Sequence, residues 1–382
     1  MKKHLCFVVL AGVALASCVK NEVADHELNK RVISFDSPVL YTNQETKANV
    51  YGEIGSHQYE GSSVIYTYPR EESFVIYAVE HAGNLSTWDS ATKAEFNGQA
   101  IIYDSRLDAW APKKSGAYYY WPEDALMSFA AYSPADLDVA GANVTYGSAG
   151  LKIEGFEVNP DPAHQYDLLY AKRSVNKSAE SMGIGAAYYS GIPIQFQHAL
   201  SSIHFSLLTD NSVTQKVTLT KIEVLNAKYQ GTFEEMITNE VVYASSPKWT
   251  PVAGAGNMAN YTPFTGSVEF PYTAQYVSAL AAKDDDSIDG ITDNSHPLLL
   301  MPQDLSDDVK IKIYYTVGSE PKTKTIQVNQ YPKGGSAITK WEPGTMYTYR
   351  MYYSASSEKK DIIYFAPETA PWATAEIIEI AL

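Results

Sequence analysis

Cysteine is almost missing from this chain. The two present, Cys6 and Cys18, both fall within the first 18 residues. That scarcity excludes a disulfide framework and a cysteine-based zinc site. Positive charge is also scarce, with 29 Lys and Arg against 44 Asp and Glu and a formal net charge of −15. A sequence-independent nucleic-acid binder needs clustered cations to displace counterions, so no nucleic-acid partner is expected. Charged residues make up only 19% and hydrophobic ones 45%, a balance unlike that of a disordered chain. No run beyond the first residues approaches 18 consecutive apolar positions, so no transmembrane helix is expected. Catalytic signatures are missing too: there is no G-x-S-x-G, H-E-x-x-H, Walker loop or G-x-G-x-x-G after a strand. Acidic residues are plentiful, and a carboxylate pair for glycoside hydrolysis stays open as an alternative. No residue stands out as catalytic, and the expectation is a protein that is not an enzyme and carries no cofactor.

What is present begins with an address. Lys2 and Lys3 precede an apolar and small-residue run over 5–16, too short to span a bilayer. The run ends in Leu15-Ala16-Ser17-Cys18, which looks like a bacterial lipobox. Small residues suit the peptidase, and the Cys18 thiol is the nucleophile for lipid attachment. Residues 1–17 therefore read as a lipoprotein signal peptide and 18–31 as a lipidated tether. Removing residues 1–17 takes away two lysines and no acid, which deepens the negative charge. The expected location is outside the cytoplasm, held by acyl chains on Cys18 rather than by a helix.

The remainder reads as short strands. Alternating or continuous apolar segments recur at 32–35, 63–68, 74–80, 100–103, 117–121, 127–132, 152–158 and 167–171. They continue at 192–196, 202–208, 217–225, 231–233, 267–270, 296–301, 309–317, 323–330, 346–353, 362–365 and 377–382. Asn97-Gly98 between Phe96 and Ala100 is a type I′ hairpin signal, and Pro343-Gly344 marks a turn. Only 178–184 and 272–283 suggest short helices. The pattern predicts an all-β protein of two sandwiches. The small, polar stretch 174–191 places the boundary, giving units of 32–185 and 186–382.

An ordered set of segments carries a family resemblance. It runs through Ile33-Ser34-Phe35, Glu45-Thr46-Lys47-Ala48, Phe74-Val75-Ile76-Tyr77-Ala78 and Tyr119-Tyr120-Trp121-Pro122. Met127-Ser128-Phe129-Ala130-Ala131-Tyr132-Ser133-Pro134 and Asp167-Leu168-Leu169-Tyr170-Ala171 follow. Then come Ile194-Gln195-Phe196-Gln197-His198-Ala199-Leu200-Ser201, Leu299-Leu300-Met301-Pro302-Gln303, Trp341-Glu342-Pro343-Gly344 and Pro371-Trp372. Behind a lipobox, this order resembles the fimbrillin-like (Mfa-like) lipoproteins of Bacteroides-type bacteria, the type V pilus subunits. The resemblance implies two tandem transthyretin-like β-sandwich domains with few short helices. It further implies a fimbrial structural or accessory subunit that contributes to cell adhesion, either held at the cell surface by outer-membrane lipid through Cys18 or released into a fimbrium after cleavage, a scheme from which anchor and tip members depart. In stalk members an Arg-specific protease cuts near the first strand, and a strand from another pilin subunit fills the groove that opens. Partners would be other pilin subunits, with a host or bacterial surface as adhesion target.

Individual residues fit that scheme, each beside a plainer reading. Arg31 directly precedes the first apolar segment, as a processing site would, or is an ordinary linker residue. Ile378, Ile380 and Leu382 share one face at period two, as in a donor strand or simply the last strand of its own sandwich. Asp285, Ser287, Asp289 and Asp293, with Gly290, match calcium-loop positions, but His296 stands where a bidentate Glu belongs, so a solvated acidic loop serves equally. His198 and His204 would share a face if 198–204 were one strand, yet no third metal ligand is near, and a structural His198 is expected instead. Asp89-Ser90-Ala91 and Asp286-Ser287-Ile288 resemble O-glycosylation acceptors of such bacteria. Aromatics are dominated by 29 Tyr, against 12 Phe and 6 Trp; they suit sugar stacking, but also strand cores. The alternative to a pilus subunit is a non-polymerising surface lipoprotein that binds glycan or host protein.

Overall fold

The computed structural model describes residues 33–35, 38–42, 57–60, 63–83, 93–106, 108–113, 119–137, 141–147, 150–171, 174–182, 191–209, 213–239, 244–270, 298–306, 308–330, 338–353 and 364–371. Among these, regular structure is almost entirely β, with three single-turn 3₁₀ helices at Pro162–His164, Ala255–Asn257 and Val328–Gln330. The local cause is visible in β20 (Lys310–Val317). Ile311, Ile313 and Tyr315 are buried, while Lys310, Lys312 and Tyr314 lie on the other face. β14 (Val217–Lys228) starts with the same alternation, then slips by one residue between Leu219 and Ile222. A register irregularity at Thr220 absorbs the slip and keeps Ile222 and Val224 inward.

Nine strands of the first sheet run in the order β2 (His57–Glu60), β3 (Ser63–Thr67), β1 (Val39–Thr42), β12 (Gln195–His198), β10 (Leu169–Ala171), β7 (Leu126–Ser133), β4 (Ser73–His81), β5 (Lys93–Asp104) and β6 (Ala109–Pro112). β11 (Ser174–Lys177) adds to β7. A bridge from Trp110 of β6 to Phe35 joins the far end of this path to the segment that precedes β1. The path from β12 through to β6 thus closes on itself through residues 33–35 and 38–42. A second sheet has the order β18 (Leu298–Leu300), β13 (Ser201–Thr209), β23 (Thr345–Tyr353), β24 (Tyr364–Pro371). It packs on a third, β17 (Met258–Glu269), β14, β20, β21 (Glu320–Gln327), with the Tyr353 ring 6.1 Å from Tyr315 and 6.5 Å from Phe270. A fourth has the order β16 (Ala244–Pro251), β15 (Gln230–Asn239), β9 (Gly150–Glu157), β8 (Asn143–Gly147). β19 (Gln303–Asp304) pairs with β22 (Lys340–Trp341). One apolar cluster runs from Ile33 to Tyr353 through all of them.

The all-β expectation is met, but strand pairing does not divide at 185/186. β12 lies after that point and pairs with β1 and β10 of the first sheet. β15 likewise pairs with β9, so the fourth sheet draws strands from both sides of it. Asn97-Gly98 is not a hairpin turn. It lies inside β5, where the register to β4 shifts and Gly98 takes φ +72°, the signature of a bulge. The neighbouring strands already pair over the whole of β5, so no reversal is available there. The helix expected from residue 178 is a single turn closed by Met182 N–H to Ser178 C=O, 3.1 Å, with Ser178 and Ser181 bonding each other's backbone.

Candidate functional site

The segment of greatest interest is the first one described. Residues 33–35 and 38–42 occupy an interior position, with hydrogen-bonded neighbours on both sides. On one side Ile33 N–H donates to Tyr119 C=O (2.8 Å), Phe35 bridges Trp110, and Pro38 C=O accepts from Tyr68 N–H (2.8 Å). Val39 to Thr42 then pair antiparallel with Thr67 to Val64. On the other side Ile192 N–H donates to Ser34 C=O (2.8 Å), Phe35 bridges Ile192, and Val39 and Leu40 pair parallel with Gln195 and Phe196.

The side chains of this segment plug an aromatic core. Ile33 is 4% and Phe35 3% exposed. The Phe35 ring meets Phe74 edge-on at 6.3 Å and Phe96 at 5.8 Å. Behind it, Tyr68 lies 5.6 Å from Trp110 and 5.1 Å from Phe196. The Tyr68 hydroxyl donates to Ser73 C=O (3.0 Å) and shares a 2.7 Å hydrogen bond with Ser133. Burial pushes its phenol well above the ordinary range, so it stays a neutral donor. Phe35 and the aromatic shell around it are what strand-period reasoning at 32–35 did not single out. Alternation named the segment as a strand, but nothing local shows that its neighbours come from residues 64–67, 110 and 192–196.

Most residues singled out from sequence lie outside the described residues: Cys18, Arg31, Ser90, Asp285, Ser287, Asp289, Asp293, Ile378, Ile380 and Leu382. His198 and His204 are described, and they do not share a strand face. β12 ends at His198 and β13 begins at Ser201, in a different sheet. His198 Nδ1 lies 2.7 Å from Asp167 Oδ2, and both side chains are buried. This pair sits where the first sheet meets the second. Ala199 N–H donates to Leu168 C=O (2.8 Å) and Trp249 Nε1–H to Ala199 C=O (2.6 Å). His204 Nε2 instead shares a 2.7 Å hydrogen bond with Ser202, and burial lowers its pKa to about 4. Among the described residues, no group of three His, Cys, Asp or Glu is placed to hold a metal. Of the Tyr118–Trp121 run, Trp121 is buried and Tyr120 is 43% exposed, so the aromatics divide between core and surface. No helix among the described residues is long and apolar enough to cross a membrane.

The described residues form an all-β fold whose first sheet closes on itself through its opening segment. This chain belongs to the fimbrillin-like family, which it matches over residues 70–372. That family is a pilus and adhesion type of protein, not an enzymatic one. Two solved structures share the fold. A fimbrial protein from Bacteroides vulgatus ATCC 8482 aligns with a TM-score of 0.52 and 17% identity, over 90% of this chain and 99% of its own. A protein from Bacteroides uniformis ATCC 8492, provisionally assigned to cell adhesion, aligns with a TM-score of 0.50 and 15% identity, over 90% and 98%. A comparison with curated proteins finds no match.

Proposed function

We propose that this chain is a fimbrial subunit, exported as an outer-membrane lipoprotein through Cys18 and joined to other pilin subunits at the cell surface by strand exchange. Family membership supports the fimbrial part. The roles of the two neighbours, fimbrial and provisionally cell adhesion, agree with a contribution to adhesion at the cell surface. The observation that carries strand exchange is the interior opening strand. Its removal would leave two facing rows of unpaired backbone groups beside an aromatic hole, the form that a foreign strand completes.

The test is made on protein sheared from the native host. Mass spectrometry should find a lipid on Cys18 in the membrane-bound precursor. On an unheated gel the chain should run in a heat-labile, high-mass complex with other subunits. A chain that runs only as monomer, heated or not, would overturn the subunit reading and leave a surface binder of glycan or host protein.

A further inference from the structure

We infer that the outer face of the third sheet binds an anionic polysaccharide. The inference goes beyond the fimbrial reading and does not depend on it. Ile311, Ile313 and Tyr315 of β20 point into the core, so Lys310, Lys312 and Tyr314 share the opposite face. Strand register adds their neighbours to that face. Glu223 and Lys221 of β14 lie opposite Lys312 and Tyr314 on one side. Thr325 and Thr323 of β21, both exposed, lie opposite the same two residues on the other. The face therefore carries three lysines against one glutamate, in a chain whose formal net charge is −15.

Three lysines of this sheet and its flank are already neutralised. Lys221 pairs with Glu223, Lys216 with Glu269 (2.8 Å) and Lys322 with Glu320 (2.9 Å). Lys310 and Lys312 make no ion pair among the described residues. Two positions apart on one strand, they leave the sheet about 7 Å from each other on the same side. Glu223 is committed to its neighbours. Lys221 and the Tyr314 hydroxyl (2.7 Å) bond its carboxylate and hold it below the ordinary range. The Tyr314 ring centre lies 4.7 Å from Lys312 Nζ and 5.6 Å from Lys221 Nζ. With ammonium groups beside its ring and its hydroxyl engaged, Tyr314 is no apolar anchor of the kind a protein interface needs. Threonine hydroxyls beside unneutralised lysines instead suit a hydroxylated, negatively charged chain that lies flat across the strands. Uronic-acid carboxylates and sulfate esters both supply that charge.

The test measures binding of the purified full chain to immobilised polygalacturonate and heparin. Dextran is the neutral control and poly-glutamate the acidic polypeptide control. Binding to an anionic glycan is expected, and it should weaken as sodium chloride rises from about 0.05 to about 0.15 M. Preference for polygalacturonate identifies carboxylate as the bound group, and preference for heparin identifies sulfate. Glu223→Gln removes the opposing charge and should tighten binding about threefold. The double variant Lys310→Glu, Lys312→Glu should weaken it about tenfold; if that variant fails to fold, Glu223→Gln decides alone. Glu154→Gln alters the net charge equally but on the fourth sheet, and should change nothing. No binding to either glycan, equal binding to dextran, or tighter binding to poly-glutamate overturns the inference. So does an unchanged affinity in Glu223→Gln, or equal tightening in Glu154→Gln.

Discussion

Two parallel strand pairings stand out among the described residues, whose other strand pairings are antiparallel, and the two differ in length and surroundings. β1 meets β12 over two register pairs, Val39 with Gln195 and Leu40 with Phe196, extended by the Phe35–Ile192 bridge. β13 meets β23 over eight, from Ser202 with Met346 to Thr209 with Tyr353. The short pairing is made by the opening of the chain and leans on an aromatic plug. The long one is flanked by β18 and β24 and tied at both ends, by Ser201 Oγ to Glu342 C=O (2.8 Å) and Thr209 Oγ1 to Tyr353 C=O (2.9 Å). Parallel pairs join residues far apart in sequence, so both are slow to form. The first pairing rests on a short ladder and an aromatic plug, the second on a long ladder flanked on both sides.

Phe35→Ala tests that contrast most strongly. It should cost about 3–5 kcal/mol of unfolding free energy, read from urea denaturation. Hydrogen exchange should rise mainly in residues 33–42 and their partners. The matching Phe205→Ala, in β13, should raise exchange throughout the second and third sheets; equal spread in both variants would erase the distinction. Asp167→Asn attacks the joint between the two pairings, since only Ala199 and Leu200 separate His198, the end of β12, from the start of β13. Breaking this buried pair should cost about 3 kcal/mol and, if the joint couples the sheets, split one thermal transition into two.

Gly231→Ala tests the support behind the long pairing. A Cβ there would stand 2.6 Å from Met301 Sδ and 3.0 Å from Thr250 C=O, so a loss of about 1–3 kcal/mol is expected. The smallest effect is on pH. His204, on β13, is held neutral by burial, with a pKa near 4 against an ordinary 6.5. Between those values the unfolded chain binds the extra proton, so stability should fall as pH drops from about 6.5 to 4. His204→Gln should flatten that slope, and an unchanged slope would show that carboxylates alone govern it.

Much of the fold is legible in the residues themselves. The alternation at Lys310, Ile311, Lys312 and Ile313 announces a strand and its buried face. Other strands are silent. β16 carries Pro247 and Pro251, and β8 opens on Asn143 and ends on Gly147, so neither shows the apolar signal that sequence reasoning needs. Both are outer strands of the fourth sheet, where proline and polar residues are tolerated because one backbone edge needs no partner. Asn97-Gly98 misled for a related reason. The left-handed backbone that glycine permits serves a bulge as well as a turn, and the choice lies with the strand opposite.

Composition and periodicity alone settle that the chain is all-β, acidic and free of disulfide staples, because those properties are sums over residues or repeats of two. Strand partners are another matter. That the opening segment lies between residues 64–67 and 192–196, with Phe35 closing an aromatic core, follows from contacts across more than 150 residues of chain. Backbone hydrogen bonds are alike at every residue and carry no address of their own. The address comes from which side chains fill one another's space, and that exists only once the chain is folded.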